Sequence, residues 1–151
     1  MTREELTAFA TEQVPEMKTG PCKQFPEFIL PADKIHALAN TLKEHPETKM
    51  DYLFCLTAVD RKDGLHVVYH LTSSVHGHLA MLRVILPEKA NSVVSTVSDV
   101  WKAAEFYERE VFDLFGIRFE NHPDLRRIFL DDDWVGFPLR KDYKDSFTLE
   151  R

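Results

Sequence analysis

Glycine and cysteine are scarce in this sequence, with five glycines and two cysteines in 151 residues. Two thiols are too few for an iron–sulfur cluster, which usually takes four, or for a structural zinc site built on close cysteine pairs. Cys22 and Cys55 are expected to be small buried hydrophobes that ligate nothing and are not paired, since a reducing compartment disfavours disulfides. The glycines are not spaced as GxGxxG or GxxxxGK, so no phosphate-cradling loop is present. No serine sits in a nucleophile elbow. No apolar run approaches the roughly 18–20 residues that span a bilayer. Residues Met1 to Glu5 lack the apolar stretch of a secretory signal, so a cytosolic start is expected. Positive charge is also short: 19 Lys and Arg stand against 25 Asp and Glu, a net −6. A general nucleic-acid binder needs the opposite balance. The remaining composition, 44% hydrophobic and 29% charged, is that of one soluble globular domain.

Thr2 and Glu5 have the spacing of a capping box, and Leu6, Phe9 and Ala10 follow at helical steps until Pro15. Phe25–Leu30 reads as an extended edge strand because it contains Pro26. Asp33 is placed to cap a second helix, with Ile35, Leu38, Ala39 and Leu42 as its apolar stripe. Tyr52–Val59 is almost continuously apolar and reads as a central strand. Leu65–Thr72 and His78–Leu86 follow, joined by hairpin signals at Asp63-Gly64 and at Ser73–Gly77. From Val93 to Leu114, apolar residues recur at three- and four-residue steps, which predicts one helix or two with a break near Trp101. Gly116 ends it. The fold class expected is α+β: a mainly antiparallel sheet of about four strands, with helices on one face.

Residues 117–151 change character. From Arg118 to Arg151 there are seven bases and eight acids, interleaved with Phe119, Phe129, Trp134, Phe137, Tyr143 and Phe147. A disordered tail is normally poor in aromatics. A core domain of 1–116 followed by an extended partner-binding arm of 117–151 is therefore expected. The alternative is an arm folded back on its own domain, with Trp134 capping the core.

Bottom-up, no catalytic centre shows. His66 and His70 share a strand face but stand about 13 Å apart, too far to hold one metal together. They, His76 and His78 read as exposed hairpin histidines rather than as a metal site. Asp131, Asp132 and Asp133 alternate sides in an extended segment and read as a solvated turn. On a helix, Glu105, Arg109 and Asp113 lie one above another, so Arg109 is expected to bridge helix carboxylates or to neutralise acids of the tail.

The run Glu108-Arg109-Glu110-Val111-Phe112-Asp113-Leu114-Phe115-Gly116, continuing through His122, Arg126, Arg127 and Ile128, resembles the signature of the thirty-kilodalton subunit family of respiratory complex I. In bacteria this is the C-type subunit of NADH–quinone oxidoreductase. A second block, Asp132 to Tyr143 with Trp134, Gly136, Pro138, Leu139, Arg140, Lys141 and Asp142, resembles the family's C-terminal motif. The sequence departs from that pattern at Asn121, Asp131, Phe137 and Lys144, where Gly, Pro, His and Pro are usual. The resemblance implies a non-catalytic scaffold subunit of a proton-translocating complex, peripheral on the cytoplasmic side of the inner membrane. It implies no cofactor on this chain: FMN, iron–sulfur clusters and quinone belong to other subunits. The implied partners are the quinone-site subunit of the forty-nine-kilodalton type and the terminal-cluster (iron–sulfur) subunit. The partner-binding residues expected are His122, Arg126, Arg127, Trp134, Pro138, Leu139, Arg140, Lys141, Asp142 and Tyr143. Glu108, Arg109, Glu110, Asp113 and Gly116 are expected to be structural. Two rivals remain: the related subunit of a membrane-bound hydrogenase or formate-lyase complex, and a small metal-dependent hydrolase using the hairpin histidines and Asp131–Asp133.

Overall fold

The structure, a computed structural model, describes residues 1–147. Glu150 and Arg151 of the C-terminal charge pattern lie outside the described residues. The first helix, α1 (Arg3–Gln13), opens on a capping box: the Thr2 hydroxyl accepts from the Glu5 amide at 3.2 Å, and the Glu5 carboxylate accepts from the Thr2 amide at 2.7 Å. Leu6 and Ala10 carry its buried stripe. Helix α2 (Ile35–Glu44) buries Ile35, Leu38, Ala39 and Leu42, the stripe read from sequence. Asp33 does not cap it. The chain already turns as a 3-10 helix over Ala32–Lys34, which places Lys34 at the N-cap position with no side-chain bond.

Strands β1 (Lys18–Thr19), β2 (Glu27–Leu30), β3 (Tyr52–Arg61), β4 (Gly64–Thr72) and β5 (Leu79–Leu86) form one sheet in the order β1-β2-β5-β4-β3. The sheet has five strands rather than about four and is mostly antiparallel; β2 and β5 run parallel, with Phe28 opposite Leu82. Two strand positions differ from the sequence reading. β2 is not an edge, because the short β1 covers it and Pro26 falls just before the ladder. β3 is an edge, not the centre. Its apolar run divides between faces, with Leu53, Leu56 and Ala58 buried and Tyr52, Phe54 and Val59 exposed. The middle strand is β5, and β4, between it and β3, is buried along nearly its whole length.

The region from Val93 to Leu114 is the largest correction. It is not helical throughout. Val93–Ser95 forms strand β6, which pairs in parallel with β7 (Arg118–Glu120) as a second, two-stranded sheet. Turns follow, and helix α3 spans only Ala104–Phe115. Val94, Val97, Val100 and Trp101 are all buried, but from a strand and two turns, and β-branched valines favour the extended start. Trp101 is fixed by its indole N–H, which donates to the Met50 carbonyl at 2.9 Å. One hydrophobic cluster joins Leu6, Ile35, Leu38 and Leu42 of the first two helices to Leu56, Val67, Tyr69, Leu82 and Val84 of the sheet, and to Val111 and Phe115 of α3.

Gly116 closes α3 with φ of 71°, its amide donating to the Phe112 carbonyl at 2.8 Å. A Cβ there would lie 2.5 Å from the Phe137 ring. Gly116→Ala is therefore expected to add a left-handed backbone penalty of roughly 1–2 kcal/mol and to push Phe137 aside. Urea unfolding should show a clear loss of stability; an unchanged midpoint would mean that Phe137 does not pack here.

Candidate functional site

The hairpin histidines act as braces; of the four, His76 is exposed as expected and the others are buried or half-buried. His66 is buried, with Nε2 2.9 Å from Asp63. His70 is half-buried between the Phe25 and Phe54 rings, and burial pushes its proton affinity down, with Arg83 adding to the effect. His76 and His78 stack on each other and place Nε2 2.8 Å and 2.6 Å from the carbonyls of Pro46 and Thr48, fixing the turn after α2. Among the described residues, no three His, Cys, Asp or Glu side chains converge as metal ligands. Cys22 and Cys55 are free and half-buried, less enclosed than expected. Burial raises the Cys55 thiol, and the nearby Glu110 carboxylate raises it further.

Two charged residues of α3, Arg109 and Asp113, reach the C-terminal segment. The sequence pattern suggests a helix surface laced with ion pairs, yet Glu108, Arg109 and Asp113 are all buried. Asp113 is the centre. Its Oδ2 accepts the amides of Ile128, Phe129 and Leu130 at 3.2, 2.7 and 3.1 Å, and its Oδ1 pairs with Arg127 at 2.8 Å. Burial works against the anion, but Arg127 and the three amides outweigh it and hold the carboxyl below its ordinary value. Arg127 also donates to the carbonyls of Trp134 and Gly136, each at 3.0 Å, and lies over the Phe137 ring.

Arg109 does not bridge Glu105 and Asp113. It reaches the segment instead, donating to the carbonyls of Arg126 and Arg127 at 3.2 and 3.0 Å. Glu105 pairs with Lys102. Farther along, the Leu139 amide donates to the Leu114 carbonyl at 3.0 Å, and Arg140, whose guanidinium lies over the Phe137 ring, donates to the Phe115 carbonyl. The Lys141 amide donates at 2.9 Å to buried Asp60, whose other oxygen pairs with Lys89. His122 donates from Nε2 to the Glu105 carbonyl at 2.9 Å and accepts the Asp124 amide on Nδ1 at 3.0 Å.

The segment after Glu120 thus has no helix or strand of its own among the described residues, but it is stapled to its own domain. This geometry sorts the sequence-derived candidates. His122, Arg127 and Arg140 spend their polar groups inward. Pro138 and Tyr143 are half-buried, with the Tyr143 ring against Gly136. Arg126 faces solvent and pairs with Asp124 at 2.9 Å, and Lys141 and Asp142 are exposed. Trp134 is 41% exposed and does not cap the core. With it, Ile128, Phe129, Val135 and Leu139 stand outward, Val135 at 88%. Sequence reading missed Asp60, whose partner lies 81 residues away, and Thr96 and Ser98, hidden in the supposed helix.

Residues 28–147 match the family described as the 30 kDa subunit of respiratory-chain NADH dehydrogenase. The chain belongs to this family. The match takes in the sheet from β2 onward, α3 and the stapled segment together. The C/D subunit of NADH-quinone oxidoreductase from Phocaeicola vulgatus is 47% identical over 120 residues, 79% of this chain and 23% of that one. The C subunit of the same enzyme from Chlorobium phaeobacteroides is 41% identical over 123 residues, 80% of this chain and 74% of that one. The chain spans about a quarter of the length of the C/D relatives and about half of the C subunit of Chloroherpeton thalassium. A chain in the solved structure of the membrane-bound sulfane sulfur reductase, an archaeal respiratory membrane complex, superposes with a TM-score of 0.77 at 33% identity. That alignment covers 93% of this chain and 85% of the other. Among the described residues, no helix is long and apolar enough to cross a membrane.

Proposed function

We propose that this family member is a non-catalytic scaffold subunit in the peripheral arm of a proton-translocating NADH–quinone oxidoreductase. It binds the quinone-site subunit of the forty-nine-kilodalton type and the terminal-cluster subunit through the segment 117–151, and sits on the cytoplasmic side of the inner membrane. FMN, clusters and quinone are held by other subunits. The observation that carries this reading is the stapled segment itself. Buried charge on α3 fixes a stretch with no regular structure, and the fixed stretch presents Ile128, Phe129, Trp134, Val135 and Leu139 outward. Large apolar side chains on a pre-ordered backbone bind a partner without a further ordering cost. A scaffold of this kind sets the distance between redox centres and contributes no group to the reaction.

Truncating the segment would unpair Asp113 and deprive buried Asp60 of the Lys141 amide, so a surface substitution is the cleaner test. Val135→Asp touches little of its own chain and should change stability by no more than about 0.5 kcal/mol. In the native host it should abolish co-purification with the quinone-site subunit and reduce NADH–quinone turnover to background. Normal assembly and turnover would overturn the partner-binding role. A second reading has support from the sulfane sulfur reductase neighbour: the same domain could serve a related complex with another electron donor. The identities of the co-purifying redox subunits decide between the two.

A further inference from the structure

Glu108 is completely buried on α3, and among the described residues no fixed cation touches it. Its Oε1 accepts the Val97 amide at 2.8 Å, and its Oε2 meets the Thr96 hydroxyl. The Thr96 oxygen lies 2.8 Å from the Ser98 hydroxyl and accepts the Ser98 amide at 3.1 Å. A threonine hydroxyl has one proton to give, and here it has two oxygen neighbours. If that proton points to Glu108, Ser98 donates to Thr96 and the carboxyl is an anion. If it points to Ser98, Glu108 must itself donate to Thr96 and carries a proton. The two arrangements differ by one proton and a rotation of hydroxyls. Thr96 and Ser98 also line an open cleft of about 670 Å³ with His36, Asp99 and Asn121, so the chain of hydroxyls runs from the buried carboxyl to solvent.

The ionisable groups around Glu108 come from several elements. Tyr69 faces it from β4, with a buried hydroxyl that has no partner among the described residues. Asp99 faces it from the loop before α3, and is itself paired at 2.7 Å with His36 of α2. On α3, Glu105 turns its carboxylate to Lys102. From the loop after β7, His122 places Nε2 3.9 Å from Oε2 of Glu108 while donating to the Glu105 carbonyl at 2.9 Å. The Nδ1 of His122 accepts the Asp124 amide, so both ring nitrogens are in use.

We propose that Glu108 is a proton-binding site, filled and emptied from the cleft through the Thr96 and Ser98 hydroxyls, and that its charge decides whether His122 holds the start of the C-terminal segment on α3. On release, the Glu108 proton passes to Thr96, the Thr96 proton to Ser98, and the Ser98 proton to water in the cleft. The resulting anion draws the His122 N–H away from the Glu105 carbonyl, and the turn held by Nδ1 and the Asp124 amide loosens. Burial supports the assignment by raising the carboxyl to about 7, against the opposing bonds from Thr96 and Val97 and with the Asp99 charge adding to the rise.

The test follows the full-length chain through a pH titration by two readouts: the infrared carbonyl stretch of a protonated buried carboxylic acid, and the exchange protection factor of the Asp124 amide. The band should vanish with a midpoint near 7, and Asp124 should lose protection several-fold over the same range. Glu108→Gln should lack the band and keep Asp124 protection constant. Thr96→Val removes a donor that favours the anion and should raise the midpoint by about one to two pH units, while Thr96→Ser should leave it at the wild-type value. The pair of Thr96 variants carries the test if Glu108→Gln does not fold. The proposal is overturned if no acid band is present one unit below the expected midpoint, if Thr96→Val leaves the midpoint unmoved, or if Asp124 protection ignores the titration.

Discussion

Replacing Asp113 by alanine is expected to cost about 3–5 kcal/mol of folding stability, the range for removing one partner of a buried charge pair. The substitution removes more than a salt bridge. Arg127 is left with its guanidinium largely enclosed, and three consecutive amides from Ile128 to Leu130 lose the carboxylate oxygen that accepts them. Asp113→Asn keeps an acceptor oxygen but no charge, so its loss should be smaller. Urea unfolding of the two variants measures both, and amide exchange should show residues 128–130 opening first. The pH dependence has a definite sign. A carboxyl held below its ordinary value of 3.8 contributes stability that is present above that value and is lost as pH falls through the folded-state value. Asp113→Ala should therefore flatten the acid limb of the stability curve. An alanine variant within about 0.5 kcal/mol of the parent, the spread of ordinary surface substitutions, would show that the carboxylate does not hold the segment.

The role of Asp113 was legible in the sequence only in part. The helical spacing of Glu105, Arg109 and Asp113 is real, but the same spacing suits an exposed ladder of ion pairs and a buried row that reaches off the helix. What separates them is the path of residues 126–130, which no local pattern encodes. The composition of that segment has the same ambiguity. Interleaved charges and aromatics fit a stretch laid on a partner and a stretch laid on its own domain, and here the two halves separate by chemistry. The charged groups of Arg127 and Arg140 turn inward, while Trp134, Val135 and Phe129 turn outward.

The sheet shows where periodicity is sufficient and where it fails. Hairpin signals at Gly64 and around Gly77 placed β3, β4 and β5 to within a residue or two. Strand order was another matter, because the apolar run of β3 resembles a central strand even though half its side chains face solvent. β1 is two residues long and has no pattern to detect. Between Val93 and Val100, valines three and four apart imitate a helix although they belong to β6 and the turns after it. That misreading hid Thr96 and Ser98, and with them the surroundings of Glu108.

Those surroundings give Glu108 an effect on stability opposite in sign to that of Asp113. Its carboxyl is raised from 4.5 to about 7 in the fold, chiefly by burial. Between these values the folded chain keeps a proton that the unfolded chain has already lost. The stabilisation is therefore complete below 4.5 and disappears as pH rises through about 7. A shift of this size corresponds to about 3 kcal/mol. The fold is thus weakened from both ends: Asp113 and Asp60 lose their contribution in acid, and Glu108 loses its own toward alkali. Glu108→Gln isolates the second effect, since glutamine retains the shape and an acceptor but cannot titrate. Stability measured by urea unfolding across this range should fall more steeply with pH in the parent than in the variant, and the gap between them should change by about 3 kcal/mol in the variant's favour on passing from below 4.5 to above 7. A gap that stays constant with pH would mean that Glu108 is ionised throughout, and that the hydroxyls and the Val97 amide stabilise its anion fully despite its burial.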